Sequence, residues 1–149
     1  MINAIFHAHS GLRYLVLLAA VVALVVLALG ASGRQPFGKR ARVVLSIFSG
    51  LLDLQILLGI AMVVMGCFYS ALIGHLMMMI LAAVAVHGLS VYARKQGVPR
   101  RAHTVALIGV LVGLALIAAG IGAIGRSPVG TSGQPTCTAA HAGDAANPS

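Results

Sequence analysis

The stretch GHLMMMILAAVAVHGLS, Gly74–Ser90, decides how this chain is read. It is apolar over a length that suits a bilayer, since about 20 residues of α-helix cross the hydrocarbon core. Yet it keeps His75 near one end, His87 near the other, and Met77, Met78 and Met79 between them. Three further apolar runs share its length, so the spans fall at about 11–29, 43–66, 71–91 and 104–124. None alternates as a barrel strand would. A helix satisfies its own backbone in lipid, and the runs therefore predict an all-α, four-helix integral membrane bundle over residues 1–125.

Composition supports this. Only 8% of the 149 residues are charged and 60% are hydrophobic, against about a quarter charged in soluble domains. The net charge of +8 does not point to nucleic acid, because the charges sit in short loops between apolar runs. Arg34, Lys39, Arg40 and Arg42 follow the first span, and Arg94, Lys95, Arg100 and Arg101 follow the third. They read as topology signals and as contacts for anionic lipid headgroups. The positive-inside rule then places both basic loops in the cytoplasm and both termini outside (N-out/C-out), with the first span retained rather than cleaved as a signal peptide. Residues 126–149 are rich in Ala, Gly, Pro, Ser and Thr and read as a disordered, non-cytoplasmic tail. Cys67 and Cys137 fall on that same side, where a disulfide is tolerated; two unpaired thiols fit the sequence equally well.

Asp53 lies mid-span, where a carboxylate costs a few kcal/mol and usually faces the bundle interior. It reads as a proton or cation site, as the partner of a histidine, or as a protonated acid bonded to a neighbouring helix. Gln55 is two residues on and therefore on another side of the helix. His75 and His87 are roughly 18 Å apart along their helix and rotated by about 120°, so they cannot share one ligand. His7 and His9 are expected just before the first helix. His9 and His75 both lie near the outer boundary on different helices, an arrangement suited to the axial ligation of a b-type haem. Asp53 is the polar group nearest in depth to His87. Met79, one turn beyond His75, shares its face and reads as cofactor lining or an alternative axial ligand. The simpler reading makes these histidines interface residues and the methionines gap-fillers. His103 is expected at the interface. The glycines Gly109, Gly113 and Gly120 predict close helix packing. With no C-x-x-C-H, phosphate loop or hydrolase motif, the chain does not read as a stand-alone enzyme.

HSGLRYLVLL, DLQILLGI and GHLMMMILAAVAVHGLS together resemble a family of small bacterial four-helix membrane proteins, mostly uncharacterised and sometimes labelled cytochrome-b-like. The resemblance covers about the first 125 residues. It implies that a histidine opens helix one, as His9 does, and that helix three carries histidines at both ends, as His75 and His87 do. Asp53 stands where the family has a helix-two histidine, and Gly74 where it has an acid. The expectation is a haem b electron-transfer protein or redox-complex subunit of the bacterial cytoplasmic membrane. His9 and His75 would be axial to the iron, and Asp53 and Gln55 would be polar groups. Partners would be the bilayer, other redox subunits or further copies of the chain, and no nucleic acid. The alternative is a cofactor-free accessory subunit, or a small carrier of protons or metal ions.

Overall fold

The computed structural model describes residues 2–33 and 35–126; the proposed tail and Cys137 lie outside the described residues. Four helices form, α1 (Ile2–Ser32), α2 (Lys39–Val64), α3 (Ala71–Arg94) and α4 (Pro99–Ala123), with no strand among the described residues. Each is long and apolar enough to cross a membrane. The fold is thus an all-α bundle with a multi-pass membrane architecture.

Every helix turns one stripe inward at alternating three- and four-residue spacing, the period that keeps side chains on one face. In α1 the stripe includes Phe6, Val16, Ala20, Ala23, Leu27 and Gly30; in α2 it is Ala41, Leu45, Phe48, Leu52 and Gln55. Outward positions such as Leu18, Leu29, Leu57 and Val84 are exposed apolar residues, as a lipid-facing surface requires. α1 packs against α2 and α4, and α3 packs closely on α4, while α2 and α3 form the loosest of the neighbouring contacts. The order around the bundle is therefore α2–α1–α4–α3, with α1 and α3 at opposite corners.

Glycines set the α3–α4 approach. A side-chain carbon on Gly109 would meet Leu89, on Gly113 it would meet Val86, and on Gly120 it would meet Met79 and Met78. Two other glycines end helices. Gly66 (φ 92°) and Gly125 (φ 68°) adopt the left-handed conformation that terminates a helix at low cost. Beyond them, the N–H groups of Cys67 and Arg126 reach five residues back to the carbonyls of Met62 and Ile121, at 3.1 and 3.2 Å.

The helix ends differ from the sequence expectation. α1 begins at Ile2, so His7 and His9 lie within the helix and not before it. Phe6, His9 and Arg13 continue the inward stripe of α1, and this packing carries the helix through a polar stretch. His103 lies near the start of α4, with its ring turned into the bundle. It is 3% exposed, donates Nδ1–H to the Pro99 carbonyl at 2.9 Å, and packs edge-on against Phe37.

Candidate functional site

At the bundle end away from the basic loops the stripes stop closing on one another. The first turns of α1 and α3 and the last turns of α2 and α4 line a cavity of about 120 Å³ that is partly open to the outside. The enclosed part is below the usual range of about 300–1,000 Å³ for a ligand pocket, and a larger group would extend through the open side. The wall is mainly apolar, with Val16, Leu52, Met79 and Ile117 at its base. His9 and His75 stand in this wall from opposite corners of the bundle, with Arg13 and Arg126 beside them.

Each imidazole is held by a helix neighbour. Gln55, buried in α2, donates Nε2–H to the His9 carbonyl at 2.9 Å and lies 3.2 Å from His9 Nε2. Gly59, one turn later, leaves room for the ring: a side-chain carbon there would stand 3.3 Å from His9 Cε1. His9 Nδ1 and Gln55 Oε1 are buried with no hydrogen-bond partner. Buried polar atoms without partners are rare and point to a missing ligand or water. His75 donates Nδ1–H to the Gly120 carbonyl at 2.9 Å. A carbonyl only accepts, so Nε2 of His75 carries the lone pair. Histidines that hold metals commonly have this second contact, which fixes tautomer and ring orientation. The last turn of α4 tightens to i→i−3 bonds, Ile124 to Ile121 and Gly125 to Gly122. Bonds of this kind satisfy some of the carbonyls at a helix end, and the Gly120 carbonyl is satisfied by His75 instead.

Met79 is buried on the same wall, against Gly120. Cys67 is 3% exposed and lines the cavity; its pairing with Cys137 falls outside the described residues. The structure separates Asp53 from Gln55. Gln55 belongs to the cavity, whereas Asp53 is off the inward stripe, because Leu52 and Gln55 already occupy the interior-facing positions beside it. Asp53 instead meets His87, whose Nε2–H donates to Oδ1 at 2.9 Å and to Oδ2 at 3.1 Å. Their side chains are 46% and 49% exposed, so the expected interior-facing carboxylate lies on the outer α2–α3 seam. His87 does not line the cavity.

Sequence reasoning missed Arg13, Arg126 and Gly59. Arg13 is detectable, since it continues the stripe four residues after His9. Arg126 follows the helix-ending Gly125, just as Cys67 follows Gly66. No protein-family model, curated protein or solved structure matches the chain. Among the described residues, no group of three or more His, Cys, Asp or Glu side chains is placed to hold a metal ion.

Proposed function

We propose that the cavity takes a b-type haem and that the chain is a small electron-transfer protein, or the subunit of a redox complex, in a bacterial cytoplasmic membrane. The observation that carries this reading is the donor set. Two imidazoles from opposite helices share one apolar cavity with two guanidinium groups and no carboxylate. That set suits a planar apolar group bearing a metal and anionic substituents. His9 and His75 would hold the iron, Met79 and the aliphatic wall would exclude water, and Arg13 and Arg126 would neutralise the carboxylates. Gln55 and the Gly120 carbonyl would hold the rings in place. Bound haem would supply a one-electron iron couple. The basic loops would face the cytoplasm and both termini the outside.

A second reading is favoured by the outward Asp53–His87 pair: a cofactor-free accessory subunit that meets a partner across the α2–α3 seam. A reduced-minus-oxidised absorption spectrum of the detergent-purified chain, with a pyridine haemochrome assay, separates the two. A b-type α-band that disappears in His75→Ala is expected. A colourless protein from cells supplied with haem overturns the cytochrome reading.

A further inference from the structure

The opposite end of the molecule holds a second concavity. It lies between the first turns of α2 and the last turn of α3, where Lys39, Arg42 and Ser46 face Arg94, with Val43 and Ile47 forming an apolar floor. α2 starts here without a side-chain cap. The first of its N–H groups bonded to a carbonyl of this turn is that of Arg42, to Gly38 at 3.2 Å. The N–H groups of the residues before it lack intrahelical acceptors and carry the positive end of the helix dipole.

Three side-chain cations from two helices therefore converge on a helix end that is itself positive. Among the described residues the one acid is Asp53, committed to His87 and eleven residues from Arg42, roughly 16 Å along α2. The cluster has no counter-charge of its own, and mutual repulsion makes it a site for an anion. The floor says which kind. Val43 and Ile47 are 44% and 52% exposed and lead without a break onto the lipid-facing side of α2, where Leu54 and Leu57 stand. A free inorganic anion gains nothing from that surface, whereas the glycerol and acyl portion of a lipid does.

We propose that this groove holds the phosphate of one anionic phospholipid, clamped between α2 and α3. Arg42 and Arg94 grip the phosphate from the two helices, Lys39 and the uncapped N–H groups face it, and Ser46 donates to an ester oxygen. The lipid thus joins the neighbouring helices that touch each other least, at the end away from the cavity. This differs from general attraction of basic loops to a membrane, because Arg100 and Arg101 carry the same charge yet lie outside the groove.

The test compares two double variants of equal charge, Arg42→Gln/Arg94→Gln and Arg100→Gln/Arg101→Gln. All four positions are exposed, so the helices tolerate the changes, and circular dichroism verifies this. The purified full-length chain is titrated with phosphatidylglycerol, phosphatidylcholine or inorganic phosphate, and native mass spectrometry and thermal shift are read. One phosphatidylglycerol per chain is expected, with a raised melting temperature, and neither phosphatidylcholine nor inorganic phosphate reproduces it. The first variant loses about tenfold or more in retention, as expected for removing charge-assisted hydrogen bonds. The second stays within about twofold, since exposed charges outside the contact matter little. Equal loss in both variants means diffuse attraction and overturns the site. Equal binding of phosphatidylcholine, or a full effect from inorganic phosphate, overturns the anionic-lipid assignment.

Discussion

Gly30→Ala in α1 tests the packing on which the bundle depends. The added methyl carbon would overlap His103 Cδ2 and Nε2 and lie 2.8 Å from Cγ. The His103 ring has no room to withdraw. It is 3% exposed, tied by Nδ1 to the Pro99 carbonyl at 2.9 Å, and backed by Phe37, with ring centroids 5.0 Å apart. Relief therefore requires α1 and α4 to move apart, or the His103 rotamer to break. Overpacking of this kind costs about 1–3 kcal/mol, and losing the Pro99 bond adds about 0.5–1.5 kcal/mol. The expected destabilisation of Gly30→Ala is about 2–4 kcal/mol, measured by reversible unfolding in mixed micelles titrated with sodium dodecyl sulfate. His103→Ala removes the obstacle, so the double variant is expected to be no less stable than His103→Ala alone. The coupling should be at least about 1.5 kcal/mol, within the range seen for residues in contact. Simple additivity of the two changes would refute the packing argument, because it would mean that the new methyl group and the ring do not compete for one space.

Two further outcomes follow from the site. Gln55→Leu removes the amide that holds His9 while keeping a similar volume, and haem affinity should fall by about 10–100-fold, as for other outer partners of metal-bound histidines. Haem titration of the apoprotein measures it; affinity equal to wild type would show that Gln55 does not position the ligand. Asp53→Asn keeps an acceptor for His87 at the exposed seam. Thermal stability should stay within about 1 kcal/mol and the absorption spectrum should be unchanged, whereas loss of the haem band would place Asp53 functionally in the cavity.

The four spans were legible because hydropathy over some twenty residues is an averaged signal that no single side chain upsets. The beginning of α1 was not, because Asn3, His7 and His9 lower the local hydropathy. What continues the helix is a spatial relation, the alignment of Phe6, His9 and Arg13 with the inward stripe. His9 and His75 could be placed at one end of the bundle from chain direction alone. Their supports could not all be read: Gln55 was visible as a mid-span amide, but nothing in the chain says which helix it faces, and the acceptor for His75 is a main-chain carbonyl without a side-chain signature. Asp53 was expected inside because lone charges in lipid usually are. It lies outside because the α2 stripe is already filled by Leu52 and Gln55 on either side of it. His103 was placed at the interface by its position beside a basic loop; that its ring is buried there depends on the gap left by Gly30, more than seventy residues earlier.

The supports of the two imidazoles divide along the chain. His9 and Gln55 belong to the first hairpin, α1–α2, and His75 and Gly120 to the second, α3–α4. Each hairpin thus carries one half-site, complete with its own orienting contact, and neither half encloses a cavity alone. During synthesis the first hairpin can enter the membrane with its histidine already oriented, and the pocket comes into being only when α4 docks on α1. A ligand that bridges the halves adds its binding free energy to that docking step. Occupancy of the pocket would then report that the two hairpins have joined correctly, which makes maturation of the site and quality control of the fold a single event.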